Sequence, residues 1–226
     1  LYYWMLARRF WFFSNVNPTM YFSGFEGETK EEMFCQLPSQ FCPVGVYIRP
    51  GEPFTEVLCK IKESGLDFPL AAKPDVGTKG LLFRKIESEK QLEEYHALLP
   101  FTYLVQQFVN MPLELSIFHV RYPDEQQGMI TGMIAKEYLQ VKGDGKSTLR
   151  QLIELHPKAF MMAEEQKHKH KEKLNDVIPE NEIYFLNELG NHNRGARFIN
   201  LHDQVDESLR RVFDEISLYS KHFYYG

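Results

Sequence analysis

The sequence predicts an α+β fold, in which helices and antiparallel strands are mixed. Segments with apolar residues at helical spacing, such as residues 54–64, stand beside short apolar runs of strand length, such as residues 68–74. Strand-like runs also follow one another directly, as at residues 102–109 and 113–122, where a βαβ fold would place a helix. The 226 residues suffice for one large domain or two small ones, and no internal repeat is present.

The N-terminal residues 1–13 are rich in aromatic side chains and include Arg8 and Arg9. They are too few to span a bilayer, which takes ~20 apolar residues, and they lack the layout of a cleavable signal peptide. We therefore predict a buried helix and expect no membrane contact by this segment. A helix that lies in the membrane interface is the alternative.

Elements up to residue 109 follow from local signals. Thr29, with glutamates at positions 31 and 32, predicts the start of a short helix, and four prolines between positions 38 and 53 predict an extended linker. Gly65 ends the helix of residues 54–64, and Ser88 with Gln91 has the spacing of a capping box. Strands are predicted at residues 44–48, 68–74, 81–86 and 102–109, and a helix at residues 88–99.

The remaining elements are two strands, a long helix, a strand-like stretch and a closing helix. They are predicted at residues 113–122, 128–141, 148–173, 182–201 and 206–221. The long helix ends in the run QKHKHKEK, whose histidines and lysines alternate. Neighbouring helix positions point to different sides, so this run is predicted to be a solvated helix end, with metal binding as the alternative.

Composition limits the classes of function. The net charge of −5 argues against a nucleic-acid binder, because phosphate neutralisation needs a basic surplus. The odd set of Cys35, Cys42 and Cys59 fits unpaired thiols in a reducing compartment, and we predict a cytoplasmic protein. No CxxC spacing indicates a zinc site.

The segment FPLAAKPDVGTKG is the first candidate site. Lys73 stands at the end of an apolar strand, where an unpaired charge is costly unless an anion is bound. The loop that follows holds Gly77 and Gly80, which let backbone N–H groups approach phosphate oxygens, and Thr78 and Lys79 add donors. The spacing fits neither a Walker loop nor GxGxxG. A plain hairpin with a glycine turn is the alternative.

Two further candidates lie downstream. The strand that ends at Gln107, Phe108 and Val109 runs into a proline-containing turn and then Glu114, an arrangement typical of an adenine-binding hinge. Lys136 is a cation within the apolar strand GMIAKEYLQV. The alternatives are an exposed strand residue for Glu114 and a lysine that reaches solvent at a sheet edge for Lys136.

Taken in order, FPLAAKPDVGTKG, VQQFV, LELSIF and GMIAKEYLQVKGDGKSTLRQLI resemble the core of ATP-grasp ligases, over about residues 44–201. Similar members are D-alanine–D-alanine ligases, glutathione-synthetase-like ligases and cyanophycin synthetases. The resemblance implies two α+β subdomains that clasp ATP between antiparallel sheets. It implies an N-terminal helix and linker (1–43), a small lobe with the glycine-rich phosphate loop (44–105) and a large lobe incomplete at its C-terminus (106–226).

The resemblance also implies roles for the candidate residues. Lys73 would contact the α- and β-phosphates, and the loop from Gly77 to Gly80 would fold over the phosphates. The main chain of residues 107–109 would hold adenine, and Glu114 would bind the ribose hydroxyls.

Two residues would serve the reaction itself. Lys136 would reach the γ-phosphate, and Arg194, in GNHNRGARFINL, would bind the substrate carboxylate or the acyl-phosphate oxygens, for which its planar fork is suited. A surface salt bridge is the alternative for Arg194.

The reaction implied is ATP-dependent formation of a C–N bond, in which a carboxylate is phosphorylated to an acyl-phosphate and then attacked by an amine. ATP and Mg²⁺ are the expected cofactors, amino acids or peptides the expected substrates, and a homodimer is a possible assembly. Family members carry an Arg-x-Asp and a Glu-x-Asn pattern for Mg²⁺ near the C-terminus. This sequence lacks both, so no metal ligands are predicted and the chain is expected to stop before those strands. A nucleotide-binding module without ligase activity is the alternative.

Overall fold

The computed structural model describes residues 2–12, 16–24, 27–77, 80–187, 190–220 and 222–226, and only the backbone of Phe22. The predicted α+β class is confirmed, because helices are mixed with strands whose ladders run antiparallel. The α-helices are α1 (Tyr2–Ala7), α2 (Lys30–Cys35), α3 (Phe54–Glu63), α4 (Glu89–Leu98), α5 (Leu149–Leu155), α6 (Pro157–Phe160), α7 (Ala163–Lys169) and α8 (Glu207–Tyr219). The strands are β1 (Gly45–Ile48), β2 (Leu70–Pro74), β3 (Arg84–Ile86), β4 (Tyr103–Gln107), β5 (Leu115–Val120), β6 (Met129–Glu137), β7 (Gln140–Lys142), β8 (Ile183–Phe185) and β9 (Arg197–Asn200).

The chain divides into two compact units. The first unit is formed by Leu1–Met111, Ile117–Met133 and His202–Gly226, and the second unit by Pro112–Ser116 and Ile134–Leu201. The division into residues 1–43, 44–105 and 106–226 stays a prediction about domains.

In the first unit, four strands form an antiparallel sheet in the order β1-β4-β2-β3. Helices α3 and α4 pack on one face of this sheet, because each presents an apolar stripe to it: Val57 and Ile61 from α3, and Leu92 and Tyr95 from α4. The side chains that form this core are Ile48, Val57, Ile61, Leu66, Leu70, Ala72, Ile86, Leu92, Tyr95, Leu99, Tyr103 and Val105. Alternation along each strand sends the remaining side chains to the other face.

In the second unit, β6 pairs with β9 between Ile134↔Asn200 and Glu137↔Arg197, and β7 pairs with β8. A separate apolar core joins β7 to the helices α5 to α7. Its buried residues are Leu139, Val141, Leu149, Leu152, Ile153, Ala159, Leu174, Ile178 and Leu186. Thr148 and Gln151 form a capping box that starts α5.

The single helix predicted at residues 148–173 is wrong, because the structure has three short helices there. Pro157 lacks an N–H and its ring would clash with the carbonyl one turn earlier, so α5 ends before it. His156 then caps the new helix, since its Nδ1 accepts from the N–H of Ala159 at 3.1 Å.

The N-terminal helix exists, but the prediction that it is buried is wrong. α1 is six residues long and has no buried residue. Among the described residues, no helix has the length and apolar character that crossing a bilayer requires.

Candidate functional site

The sheet of the first unit has a second, chemically distinct face. Cross-strand register places Gly45, Gln106, Ala71 and Lys85 in one row, and Tyr47, Leu104 and Lys73 in the next row. Residues directly opposite each other, and residues two apart on one strand, lie on the same face of a sheet. We call this set the polar face; its members are Gly45, Tyr47, Ala71, Lys73, Lys85, Leu104 and Gln106.

Lys73 is the central cation of the polar face. It is half-buried in β2, and its Nζ lies 5.6 Å from the ring centroid of Phe34. Burial, together with the nearby charge of Lys30, lowers the pKa of Lys73 to about 8. Among the described residues, no carboxylate lies within salt-bridge distance of this ammonium. A cation is therefore held at a desolvated position that nothing described in the protein neutralises.

Lys30 brings a second cation close to the first. Its side chain donates from Nζ to the backbone oxygen of Asp75 at 2.8 Å, and its own N–H donates to the same oxygen at 3.2 Å. Asp75 also accepts the N–H of Glu31 through Oδ1 at 3.0 Å. Burial lowers the pKa of Lys30, although the carboxylates of Asp75 and Glu28 partly oppose this shift. Sequence reasoning missed Lys30.

The sequence contained one indication that Lys30 has a special role. It is the first residue of α2, which Thr29 and Glu32 start with a capping box. A cation at a helix N-terminus opposes the helix dipole, so a lysine there is unfavourable without a further reason.

Two buried polar atoms face the same way as Lys73. The hydroxyl of Tyr47 and the Oε1 of Gln106 have no hydrogen-bond partner among the described residues. Burial, followed by the charges of Asp75 and Glu31, raises the pKa of Tyr47, so its hydroxyl stays a neutral donor. Buried polar groups are normally hydrogen-bonded, so these two atoms add a desolvation cost on the same face of the sheet as Lys73.

The loop after β2 is described in part. Gly77 is exposed and Gly80 adopts φ +70, the left-handed conformation that favours glycine. Thr78 and Lys79, which the sequence predicts as phosphate donors, lie outside the described residues.

The predicted hinge lies at the end of β4. The N–H of Gln107 donates to the oxygen of Val44 at 2.9 Å and is thus used within the sheet. Phe108 stacks beneath the Nζ of Lys85 at 5.1 Å, and Val109 is exposed. The hinge therefore borders the polar face through Lys85, which sequence reasoning also missed.

In the second unit, the structure brings Glu114 and Lys136 together. Their side chains form an ion pair, with Nζ 2.8 Å from Oε1, and Oε2 accepts the hydroxyl of Tyr138 at 2.9 Å. Gly190 lies directly against this pair, since a Cβ there would be 2.5 Å from Glu114 Oε2 and 2.8 Å from Lys136 Cδ. The side chains of the pair are only partly exposed and are fixed from three sides.

Arg194 lies in the 3-10 helix His192–Arg194 and pairs with Glu165 at 2.9 Å. Asn187 donates to the Arg194 carbonyl at 3.1 Å, and Gly195 adopts φ +86 directly after it. The structure thus has the salt bridge that the sequence leaves open as an alternative, and the role of Arg194 in substrate binding stays a prediction.

Within the described part of the chain, no group of three His, Cys, Asp or Glu side chains is placed to hold a metal ion. In the histidine-lysine run, His170 contacts the Tyr184 hydroxyl through Nδ1 at 3.0 Å and the Leu186 oxygen through Nε2 at 3.1 Å. This imidazole joins α7 to β8, and burial lowers its pKa.

Comparison with known proteins gave matches among solved structures alone. No family model matches the sequence, and no curated protein matches it. The structure is similar to D-alanine–D-alanine ligase from Bacillus anthracis, with 11% identity, a TM-score of 0.44, and coverage of 88% of this chain and 48% of that one. A bifunctional glutathione synthetase from Pasteurella multocida matches with 13% identity, a TM-score of 0.42, and coverage of 84% and 27%. N5-carboxyaminoimidazole synthetase from Staphylococcus aureus complexed with ADP matches with 18% identity, a TM-score of 0.40, and coverage of 70% and 43%.

These neighbours are ATP-grasp ligases, the group that the sequence resembles. The chain spans less than half the length of each of the three. At such identities and TM-scores the likeness assigns no activity to the chain.

Proposed function

We propose that this chain is the nucleotide-binding part of an ATP-dependent carboxylate–amine ligase that acts through an acyl-phosphate. The observation that carries the proposal is the half-buried ammonium of Lys73 on the polar face, which no described carboxylate neutralises and which has Lys30 beside it. Two desolvated cations repel each other and destabilise the fold, and bound phosphate oxygens would remove both penalties.

The rest of the polar face supports a nucleotide. The unpartnered Oε1 of Gln106 would accept from an exocyclic amine of a base, and the neutral hydroxyl of Tyr47 would donate to an acceptor. Gly45 leaves space on this face beside Leu104 and Gln106. A Cβ at position 45 would lie 2.9 Å from Leu104 Cδ1 and 3.0 Å from Gln106 Cβ. The loop with Gly77 and Gly80 leaves the same strand as Lys73 and would cover the phosphates.

In the second unit, the Glu114–Lys136 ion pair supports the roles that the resemblance implies. Glu114 and Lys136 neutralise each other. A ligand that offers a hydroxyl to Glu114 and an anionic group to Lys136 could therefore replace this ion pair with two new contacts. Arg194 would likewise give up its ion pair with Glu165, and its guanidinium would then bind a carboxylate or acyl-phosphate oxygen.

In the proposed reaction, a carboxylate oxygen of the acid attacks the γ-phosphorus of ATP, the bond to the β-phosphate oxygen breaks, and ADP leaves. An amine then attacks the acyl carbon, loses a proton and displaces inorganic phosphate. Lys136 would stabilise charge on the transferring phosphoryl group, as positioned cations do in phosphoryl transfer. Mg²⁺ would accompany ATP, but the described residues supply no ligand cluster for it, and no step is assigned to it.

Thermal unfolding with and without Mg-ATP tests the nucleotide site. Ligand at ~100 times its dissociation constant stabilises by about 2.7 kcal/mol, which raises the midpoint by roughly 5–11 °C for a chain of this size. We expect the rise in wild type and in Lys60→Met, which replaces a lysine of α3 that pairs with Glu52. We expect its loss in Lys73→Met. A rise that survives in Lys73→Met contradicts the assignment.

Hydroxylamine trapping tests the ligase step. An acyl-phosphate reacts with hydroxylamine to a hydroxamate, so ADP and hydroxamate should form together when amino acids or peptides are supplied with Mg-ATP. ATP binding without hydroxamate from any acid in such a panel favours the nucleotide-binding module instead.

A further inference from the structure

The N-terminal aromatic segment, defined as residues 2–12, exposes large apolar side chains over its whole described length. Tyr3 is 68% exposed, Phe10 72% and Trp11 63%. Contiguous exposed apolar surface of this kind is rare on a free protein surface and marks a site of interaction.

The segment has a defined local structure. After α1, Arg8 adopts φ 50, a left-handed conformation that reverses the chain. The ring of Phe10 then returns to the ring of Trp4, with centroids 4.8 Å apart. Arg8 and Arg9 stand at this reversal, between two aromatic arms.

The charge of the segment differs from that of the whole chain. Residues 2–12 include two arginines and no acid, whereas the chain carries −5. An anionic surface therefore attracts this segment while it repels the chain as a whole. Two copies of the segment packed together would instead bring four arginines close to one another without an acid among them.

We propose that the N-terminal aromatic segment binds the surface of an anionic lipid bilayer and lies in its interface. Tryptophan and tyrosine favour the headgroup region, because their rings are apolar and their N–H and O–H groups stay hydrated. The arginines reach lipid phosphates and carboxylates beside them. The segment would lie along the headgroup region and hold the two units at the membrane surface.

Co-sedimentation of the whole chain with vesicles tests the proposal. We expect binding to vesicles of phosphatidylcholine with phosphatidylserine and much weaker binding to phosphatidylcholine alone. Each arginine near an anionic surface strengthens binding about fivefold, so Arg8→Gln/Arg9→Gln should weaken it roughly 25-fold. The matched control is Arg210→Gln/Arg211→Gln, an adjacent pair of exposed arginines on α8, which should leave binding unchanged.

The aromatic side chains are tested in the same assay. Phe10→Ser/Trp11→Ser should abolish binding, and Leu155→Ser/Met161→Ser, which removes exposed apolar side chains of the second unit, should not. All of these side chains are exposed, and an unchanged unfolding midpoint verifies that each variant is folded. Absence of binding to anionic vesicles, or equal loss in the controls, overturns the proposal. Concentration-dependent self-association that Phe10→Ser/Trp11→Ser removes, without vesicle binding, would make the segment a protein interface instead.

Discussion

Replacing Lys73 with methionine should stabilise the protein while it removes nucleotide binding. Desolvation and Lys30 lower the pKa of Lys73 from 10.5 to about 8. A shift of this size corresponds to at most about 3.4 kcal/mol. Because Lys73 is only half-buried, solvent screening reduces this to about 1–2 kcal/mol. Methionine keeps the length of the side chain and a contact with the Phe34 ring.

The assay is thermal unfolding across pH. The Lys73→Met midpoint should exceed that of wild type by about 2–8 °C at pH 7. The folded state binds fewer protons at Lys73 than the unfolded state does between pH 8 and 10.5, so wild-type stability rises with pH in that window. The advantage of the variant should therefore shrink as pH increases above 8.

The control variant Lys60→Met separates the effect of the environment of Lys73 from the effect of removing a positive charge. Lys60→Met removes an ion pair between α3 and the largely buried carboxylate of Glu52 in the same unit, so it should lower stability rather than raise it. The reasoning is refuted if Lys73→Met is less stable than wild type at pH 7 and still responds to Mg-ATP. In that case Lys73 is a structural residue.

Three further predictions concern other parts of the chain. ATP affinity, measured by titration calorimetry, should fall as pH rises above 8, because Lys73 loses its charge. Binding at pH 8 should take up about half a proton, so the measured binding enthalpy should change with the ionisation enthalpy of the buffer. Gly190→Ala should abolish hydroxamate formation, because its Cβ would displace the carboxylate of Glu114, and activity equal to wild type would contradict the role of the ion pair. Gly143→Ala would place a Cβ 2.0 Å from the oxygen of Pro179 and should lower stability in urea by about 1–3 kcal/mol; an unchanged midpoint would be the contrary result.

Helix starts that depend on hydrogen bonds between near neighbours in the chain were predictable from the sequence. The starts of α2, α4 and α5 depend on a serine or threonine that accepts from the N–H three residues later, at Thr29, Ser88 and Thr148. Such contacts depend on neighbours in the chain alone, so spacing identifies them. Pro157 was an equally local signal, and it outweighs the apolar periodicity that predicts one long helix.

Long-range contacts were not predictable in the same way. Lys30 comes close to Lys73 through the position of α2, and Tyr47 shares a row of the sheet with Lys73 through strand register. Neither has a sequence pattern that points to a ligand. The prediction of a buried N-terminal helix was wrong for another reason. Apolar composition predicts burial only when another part of the fold offers a surface that covers the segment, and α1 has no buried residue.

The partners of the other cations make the isolation of Lys73 informative. The sequence has 31 acidic residues against 26 lysines and arginines, so a carboxylate is easily found for a cation that needs one. In the first unit Arg49 pairs with Glu31, and Lys60 with Glu52. A carboxylate at Lys73 would stabilise the fold, but it would also repel phosphate and have to be displaced before phosphate could bind. Among the described residues, the end of β2 has a second lysine beside it, and two unpartnered polar atoms lie on the same face of the sheet. The proposed nucleotide site accounts for these costs together, because a bound phosphate would neutralise both lysines.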